Sequence, residues 1–389
     1  MPRILLSSPT MHGEEQNYIQ EAFDRNWIAP LGFNCDGFEN EMCAYLGDGI
    51  HAFATVSGTS AIHLAIKLAG IKPGEHVLCS DLTFSATVNP VSYEGGIQVF
   101  VDSEPESWNM DPNALEEAFR KYPDARVVVL AHLYGTPAKM DEIQAVCNRH
   151  NAILIEDAAE ALGATYKGRK CGTFGECGVL SFNGNKIITT SGGGMLITKT
   201  AEEREKALFW STQTREKAPW YQHTELGYNY RMSNVVAGIG RGQLLHLEEH
   251  RKLKERIYNR YKEAFKDLPV TMNPYLADSR PNFWLSCITV DKEALCKQER
   301  TDNTTTWIHE PGKSCPDEIG KALADNNIEA RPIWKPMHLQ PFYADRDFIS
   351  TGCGEDIFAR GLCLPSDIKM TKREQNRVIE IVKSCFGEV

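Results

Sequence analysis

Two residues of this 389-residue chain, Asp157 and Lys186, have side chains suited to chemistry on a bound aldehyde. Asp157 ends the apolar run 152–157, and Lys186 ends the segment 181–186. A lysine amine can form a Schiff base with the aldehyde of pyridoxal phosphate, and a carboxylate beside the pyridine nitrogen keeps it protonated. The pair therefore suggests pyridoxal phosphate chemistry. Each residue alone has an ordinary explanation, because lysines are mostly surface charges and an Asp after a strand often caps a helix.

Further segments carry groups that could hold the rest of such a cofactor. Residues 57–60, Ser-Gly-Thr-Ser, directly precede a predicted helix, and free N–H groups at a helix N-terminus bind phosphate. Their alternative role is an ordinary N-cap turn. Phe84 could stack on an aromatic ring or belong to the core, and Ser181 could add a hydroxyl to a phosphate site. The three glycines 192–194 suit either a tight turn against a ligand or a flexible hairpin.

The elements that would position these groups alternate between strands and helices from about residue 50 to 200. The continuous apolar strands indicate burial on both faces, and hence an α/β fold with a mostly parallel sheet covered by helices. Ligands of such sheets bind outside the carboxyl ends of the strands. The pattern predicts strands at 76–79, 97–101, 126–133 and 152–157, and helices at 59–69, 111–122 and 140–150.

Beyond residue 244 the character of the chain changes. Residues 244–265 predict one long, charged helix, and shorter elements with two proline-rich pieces follow. We expect a large domain at 1–245 and a smaller α+β domain at 246–389. The polar segment 296–316 is predicted to be an irregular surface loop.

Composition narrows the class of protein. The net charge of −10 argues against nucleic acid as a partner, because phosphate backbones require a basic face. No apolar run approaches a membrane span, so no membrane partner is predicted. The N-terminus lacks a signal-peptide core, and the 12 cysteines show no paired CxxC spacing. We therefore predict reduced thiols and a cytoplasmic location.

Residues 246–250, His-Leu-Glu-Glu-His, match the H-x-x-E-H pattern of some zinc proteases. Histidines four positions apart lie on one face of a helix, which suits a metal ion. The surrounding segment is rich in Glu, Lys and Arg, and such residues commonly coat a solvated helix face. The solvated face is the favoured interpretation, so no metal is predicted.

Four motifs in this order resemble the DegT/DnrJ/StrS family of sugar aminotransferases. They are residues 57–60, 156–160, 181–186 and 227–232, and the likeness extends from 26–30 to 364–365. The resemblance implies the aspartate aminotransferase type fold, fold type I. That fold has a large domain with a mostly parallel seven-stranded sheet and a small C-terminal domain.

The resemblance also implies a role for each matching residue. Lys186 would form the Schiff base, Asp157 would pair with the pyridine nitrogen, and Glu160 would lie near the ring hydroxyl. Phe84 would stack on the ring. Phosphate contacts would come from Gly58, Thr59 and Ser181, with Asn229 reaching across from the neighbouring subunit of a homodimer.

Within the family, one branch is the most similar. Glu160, Gly193 and the segments 183–186 and 331–338 resemble 4-aminotransferases for UDP-4-keto-6-deoxy-N-acetylglucosamine, which serve bacillosamine-type glycan and exopolysaccharide pathways. The chain is therefore expected to move an amino group from L-glutamate to C4 of that type of nucleotide sugar. Arginine and lysine suit the carboxylate or diphosphate of such substrates. The candidate substrate-binding residues are Trp27, Ile28, Ala29, Pro30, Ser57, Arg231, Arg331, Trp334, Lys335 and His338.

Other functions remain open at this point. The substrate could be another nucleotide-linked keto sugar, aminated at C3 or linked to dTDP. Relatives that dehydrate sugars have histidine in place of Lys186, and a desulfurase-like lyase needs an activated thiol, which nothing marks in Cys171 or Cys177. A non-catalytic, cofactor-binding regulator would need a DNA-binding module, and the acidic chain shows none.

Overall fold

The computed structural model describes residues 2–387 and is organised around one large sheet. The strands, numbered along the chain, are β1 His51–Thr55, β2 His76–Ser80, β3 Ile97–Val101, β4 Val127–Ala131, β5 Ile153–Asp157, β6 Thr165–Tyr166, β7 Arg169–Lys170, β8 Cys177–Ser181, β9 Gly194–Thr198, β10 Val270–Met272, β11 Ser279–Arg280, β12 Ser286–Val290, β13 Gln298–Arg300, β14 Thr305–Trp307, β15 Arg331–Pro332, β16 Phe348–Ile349 and β17 Gly361–Leu364. The helices are α1 Glu14–Asp24, α2 Phe33–Leu46, α3 Gly58–Leu68, α4 Asn89–Tyr93, α5 Pro112–Lys121, α6 Met140–Arg149, α7 Ala201–Ser211, α8 Asn234–Leu244, α9 Leu247–Ala264, α10 Pro316–Asp325, α11 Cys353–Arg360 and α12 Lys372–Ser384.

The large sheet has eight strands in the order β1-β9-β8-β5-β4-β2-β3-β16. Five of its pairings are parallel, and only β9 runs antiparallel to both of its neighbours, β1 and β8. The central strand β4 is buried along its whole length, as expected for a sheet covered on both faces. The predicted mostly parallel α/β architecture is confirmed.

Each strand and helix predicted between residues 59 and 157 is present, with ends that differ by a residue or two. The resemblance implied seven strands in the sheet. The structure adds an eighth, because β16 pairs with β3 at the edge, where Phe348 lies opposite Phe100. A two-residue strand carries too little pattern to be recognised in a sequence.

The prediction of one helix over 244–265 is wrong. Leu244 ends α8, and α9 begins at Leu247 after an interruption at 245–246. The backbone of α8 packs closely on its neighbours, since a Cβ at Gly240 would lie 2.6 Å from the Phe38 ring. The chain then turns, and α9 packs against β12 in the C-terminal part of the chain. Charge patterning does not reveal such a change of direction, because the two flanking segments are both helical.

The segment 296–316 is not an irregular loop throughout. Its strands β13 and β14 form a two-stranded antiparallel hairpin in which Arg300 lies opposite Thr305. The remainder of the segment is irregular and mostly exposed, as predicted. Polar strands on a solvated hairpin lack the hydrophobic alternation that signals a strand.

A second sheet, in the order β10-β12-β17-β15, lies in the C-terminal part of the chain. Its core includes Ile288, Leu364 and Val378, and α9, α10 and α12 contribute to the same cluster. Ile4 also packs there and bridges to Ile328. The division into domains at 1–245 and 246–389 stays a prediction. Ile4, from the N-terminal part, packs in the C-terminal core, and β16, from the C-terminal part, pairs with β3 of the large sheet. No helix among residues 2–387 combines the length and apolar character needed to cross a bilayer.

Candidate active site

The carboxyl ends of β1, β2, β4, β5 and β8 open into a cavity of about 260 Å³. The side chains that line this one space are separated by up to 278 positions in the sequence, from Val56 to Trp334. Nine of the residues predicted from the sequence are among them: Ser57, Gly58, Thr59, Phe84, Asp157, Glu160, Ser181, Lys186 and Trp334.

Two acidic residues at the tip of β5 have separate environments. Successive side chains of a strand point to opposite faces, so Glu156 and Asp157 face away from each other. Glu156 is fully buried and accepts backbone hydrogen bonds from Gly172, Phe174 and Gly175, at 2.8, 2.5 and 2.6 Å. His132 Nε2 adds a fourth contact at 2.9 Å. Glu156 therefore holds the 172–175 loop, and Asp157 faces the cavity.

Asp157 is held in a fixed orientation by two hydrogen bonds. Thr87 Oγ1 donates to its Oδ2 at 2.7 Å, and the backbone N–H of Ala159 donates to its Oδ1 at 3.0 Å. Thr83 Oγ1 lies 2.7 Å from Thr87 Oγ1 and extends this chain of hydroxyls. These two donors fix the orientation of the carboxylate, so Asp157 presents its oxygens to the cavity at a set position.

Lys186 reaches into the cavity from the loop that follows β8. Its Nζ lies 3.6 Å from Glu160 Oε1 and 4.1 Å from the centre of the Trp284 ring. The Trp284 indole in turn donates to the backbone oxygen of Asn185 at 2.7 Å. Trp284 therefore supports both the amine of Lys186 and the loop that carries it.

Glu160 is the partner of this amine. Burial raises the pKa of Glu160, and the Lys186 ammonium opposes that rise. The backbone N–H of Tyr134 donates to Glu160 Oε2 at 2.7 Å. Tyr134 adopts a left-handed conformation with φ of 51°, which is uncommon for a bulky residue. This strained turn directs its N–H at the carboxylate, an arrangement often found at functional sites.

A concave backbone surface lies at the N-terminus of α3. Ser57 caps the helix, and its Oγ accepts from Ser60 N at 3.1 Å. A Cβ at Gly58 would lie 3.1 Å from Ser181 Cβ, and one at Gly194 would lie 2.4 Å from Gly58 N. The absence of side chains at both glycines brings free N–H groups beside the Ser181 hydroxyl. This surface suits a phosphate group.

Aromatic rings form one wall of the cavity and continue into a neighbouring groove of about 630 Å³. Phe84 is half exposed, and its ring centre lies 5.3 Å from that of Trp334. Both rings line the cavity and the groove, and Tyr93 and Phe342 extend the apolar surface along the groove. The wall can stack on flat or sugar rings.

Arg231, a predicted substrate-binding residue, does not line the cavity. It is nine-tenths buried, and its Nη1 lies 3.7 Å from Glu39 Oε1. Arg204 Nη2 also contacts Glu39, at 2.7 Å. Two cations share this buried carboxylate, so the charge of Arg231 is occupied within the fold.

Three residues of the segment 331–338 lie around the cavity and do not line it. Arg331 is exposed and paired with Glu329 at 3.0 Å, and Lys335 lines the aromatic groove. His338 donates its backbone N–H to Asp81 and contacts the same carboxylate through Nδ1 at 2.8 Å. His338 therefore anchors this segment to Asp81, at the end of β2.

Residues 27–30 and Asn229 also lie outside the cavity of their own chain. Trp27 and Ile28 are exposed beside α2, where the Asn234 amide donates to the backbone oxygen of Trp27. Ala29 and Pro30 continue this exposed segment. Asn229 is exposed and bridges to Thr212. An exposed position is compatible with the predicted action of Asn229 on a neighbouring subunit.

Sequence reasoning missed Thr87, Trp284 and Tyr134, which contact Asp157, Lys186 and Glu160. Thr87 follows Phe84 after β2, so the rule that ligands bind at strand ends could have suggested it. No local pattern marks Trp284 or Tyr134, because their contacts span 98 and 26 positions of the chain.

Comparison with known proteins gives consistent matches over the whole chain. A sequence model of the DegT/DnrJ/EryC1/StrS aminotransferase family matches residues 9–383. EpsN of Bacillus subtilis (strain 168), whose name describes a pyridoxal phosphate-dependent aminotransferase, is 47% identical over 399 residues, with 100% of this chain and 97% of EpsN covered. GDP-perosamine synthase of Caulobacter vibrioides is 37% identical over 385 residues, covering 97% of each chain.

Solved structures share the architecture. The crystal structure of the aminotransferase TlmJ from Streptoalloteichus hindustanus superimposes with a TM-score of 0.87 and covers 98% of both chains. The sequences are 24% identical, so this likeness concerns the fold. The fold type I architecture expected from the sequence is confirmed.

Proposed function

The chain belongs to the DegT/DnrJ/EryC1/StrS aminotransferase family and is a pyridoxal phosphate-dependent sugar aminotransferase, and from that premise we propose its substrates. The amino donor is L-glutamate, and the acceptor is a UDP-linked 4-keto-6-deoxy-N-acetyl hexosamine that receives the amine at C4. The observation that carries the proposal is the position of the Lys186 amine, 3.6 Å from Glu160, in a cavity that also exposes Asp157.

The residues around the cavity fit pyridoxal phosphate. An amine from Lys186 and a carboxylate from Asp157 are available for its aldehyde and its pyridine nitrogen. The surface formed by Gly58, Thr59 and Ser181 provides donors for its phosphate, and Phe84 provides an aromatic face. When bound, the cofactor supplies an electron sink for the carbon that loses a proton.

Asp157 is proposed to keep the pyridine nitrogen protonated. The hydrogen bonds from Thr87 and Ala159 hold this carboxylate in one orientation. The buried location strengthens its attraction for a positive charge, because less water screens the interaction. With the cofactor bound, Asp157 would stabilise a positive charge on the ring nitrogen.

Lys186 Nζ is the proposed general base and acid: it would accept the proton that the amino donor loses from Cα and would donate a proton later in the transfer. A general base must be neutral when it accepts the proton. Glu160 lies 3.6 Å away and stabilises the protonated amine afterwards. Trp284 packs under the amine and restricts it to the side of the cavity where transfer takes place.

The acceptor is proposed to lie along the aromatic wall and the adjoining groove. Trp334 borders both spaces, and Lys335 contributes a cation to the groove. A sugar ring packs well against an aromatic face, and a diphosphate pairs with cations such as Lys335. The likeness to the spore coat polysaccharide biosynthesis protein SpsC of Bacillus subtilis (strain 168), 32% identical over 395 residues and 97% of this chain, supports a role in polysaccharide synthesis.

A GDP-linked keto sugar is a second candidate for the acceptor. The observation that favours it is the 37% identity to GDP-perosamine synthase, again over nearly the whole chain. The two candidates differ in the nucleotide and in the substituent at C2.

The active form is proposed to be a homodimer with shared sites. Large apolar side chains cluster on the exposed segment that leads to Asn229, where Trp220, Tyr221 and Leu226 are 67%, 75% and 74% exposed. Such an exposed group of aromatic and aliphatic residues is typical of a protein interface. Contact through this surface would bring Asn229 towards the site of a second copy.

The experiment is an absorbance titration of the holoenzyme. We expect L-glutamate to remove the visible band of the lysine-bound cofactor, and UDP-4-keto-6-deoxy-N-acetylglucosamine to restore it. Restoration by a GDP-4-keto-6-deoxy sugar, and not by the UDP sugar, would replace the proposed acceptor with the second candidate. A band that glutamate leaves unchanged would contradict the proposed donor.

A further inference from the structure

Three histidines and two glutamates from separate segments converge away from the active site. His12 precedes α1, and His246, Glu249 and His250 lie at the start of α9. The rings of His12 and His246 stack with centres 3.6 Å apart, and His12 Nε2 lies 2.7 Å from His250 Nε2. Glu14 Oε2 and Glu249 Oε2 each lie 3.2 Å from a nitrogen of His246.

The hydrogen bond of His250 to the backbone determines which nitrogen can bind a ligand. His250 Nδ1 lies 2.7 Å from the backbone oxygen of Ile187, so Nδ1 carries the proton and donates. Its Nε2 then presents a lone pair towards His12. Metal-binding histidines commonly donate their second ring N–H to a backbone carbonyl in this way.

We propose that His12, His246 and Glu249 bind a divalent transition-metal ion such as Zn²⁺, with His250 as an adjoining fourth donor. One ligand atom from each of the first three residues lies within 4.8 Å of the others. Bound to zinc at about 2.1 Å, such atoms lie roughly 3.4 Å apart. His12 and Glu249 are exposed, so small side-chain rotations can close the difference.

The charge balance favours a cation at this position. The N-terminus of α9 has a positive dipole end, which by itself repels cations. Glu14 and Glu249 place two carboxylates beside the histidines and outweigh that effect. Imidazole and carboxylate ligands are the set that zinc and neighbouring metals prefer, and Ca²⁺ and Mg²⁺ prefer oxygen alone.

The structure changes the interpretation of the 246–250 motif. The sequence favoured a solvated helix face because the surrounding segment is rich in Glu, Lys and Arg. The fold adds His12, which lies 234 positions before His246 in the chain and closes the cluster from a second segment. Each ring nitrogen that binds the ion must first lose its proton to solvent.

The proposed ion has a structural role. It links the segment before α1 to α9, and His250 extends the link to the oxygen of Ile187, next to Lys186. The ion does not line the active-site cavity. We therefore expect it to raise thermal stability and to leave the turnover of bound substrate largely unchanged.

The test uses untagged holoenzyme freed of metals with a chelating resin and then titrated with ZnCl₂. We expect one Zn²⁺ per chain by calorimetry and by elemental analysis. His12→Ala and His246→Ala should each weaken binding by about ten-fold or more. His309→Ala is the matched control, because His309 is also exposed and lies 2.7 Å from a carboxylate, Glu318.

Binding weaker than millimolar in the parent protein would overturn the proposal, and so would equal affinity in the parent and His12→Ala. Retained cofactor absorbance reports the fold of each variant. If His12→Ala fails to fold, Glu249→Gln at an exposed position provides the same comparison. Loss of affinity in the control as well as in the cluster variants would assign the zinc to dispersed surface groups and also overturn the proposal.

Discussion

Lys186 Nζ lies 3.6 Å from Glu160 Oε1, and the two side chains come from loops that follow different strands. The chain separates them by 26 positions, and the parallel sheet brings the ends of β5 and β8 together. Burial raises the pKa of Glu160, and the nearby amine counteracts that rise. Substituting either Lys186 or Glu160 would therefore leave the other side chain without its charged partner.

Replacing Lys186 with alanine should lower turnover by at least about 10³-fold, because the variant has no amine to carry the proton. The phosphate and ring contacts remain, so some cofactor should still bind. Stopped-flow and steady-state assays with glutamate and the keto sugar measure the loss. Lys252→Ala, an exposed position in α9, is the control and should behave like the parent. Full activity in Lys186→Ala would contradict the proposed mechanism.

Replacing each of the neighbours Glu156 and Asp157 by its amide should affect a different property, stability for Glu156 and reaction rate for Asp157. Asp157→Asn should lower the rate by about 10²-fold or more with little change in stability, because it removes one charge from the site. Glu156→Gln should destabilise the fold by roughly 3 kcal/mol, because three backbone N–H donors lose a buried charged acceptor. Urea denaturation and kinetics separate the two effects. A stable, inactive Glu156→Gln protein would contradict this division of roles.

Gly194→Ala should weaken cofactor binding by roughly ten-fold or more, because the new Cβ would lie 2.4 Å from Gly58 N and force the backbone apart. Fluorescence titration of the apoprotein with pyridoxal phosphate measures the affinity. Gly184→Ala is the matched control, since its Cβ would meet its nearest neighbour at an ordinary 3.8 Å. Equal affinities in the two variants would remove Gly194 from the phosphate surface.

His338→Gln should reduce stability more at pH 6 than at pH 9. Burial lowers the pKa of His338, but hydrogen bonds to Asp81 and Glu355 outweigh it and raise the pKa above 6.5. The folded state therefore binds this proton more tightly than the unfolded chain. That contribution to stability is complete below pH 6.5 and is lost as the pH rises through the raised pKa.

Urea denaturation at both pH values measures the penalty of the His338→Gln substitution. An Asp81→Asn background is the control, because without the Asp81 charge the pH dependence of that penalty should shrink. A penalty that stays constant or grows between pH 6 and pH 9 would contradict the charged pair.

Mixing two inactive variants should restore activity if sites are shared. Asn229→Asp would place a negative charge against the phosphate bound to the other subunit, and Lys186→Ala removes the amine. Mixed dimers would contain one intact site, so random exchange should recover about a quarter of the parent activity. Assays before and after co-incubation measure the recovery. Subunit exchange without any regained activity would indicate that Asn229 acts within its own chain or not at all.

The sequence alone determined the class of chemistry and most of the elements that support it. Asp157 at the end of β5 and Lys186 after β8 follow from local pattern, because continuous apolar strands indicate a parallel sheet and ligands bind at its carboxyl edge. Four ordered motifs identified the family, and the match of the family model over residues 9–383 confirms it. These signals are local, so they can be recognised without coordinates.

Only the tertiary structure decided which side chains meet. Trp284 lies under Lys186, and Arg231 is occupied by Glu39, because distant segments pack together in a way that no local pattern encodes. The interruption between α8 and α9 was missed for the same reason. A helical pattern in the sequence predicts only that each residue is helical. The orientation of one helix relative to the next depends on the side chains against which each helix packs. His12 and His246 likewise become neighbours only through the packing of α1 against α8.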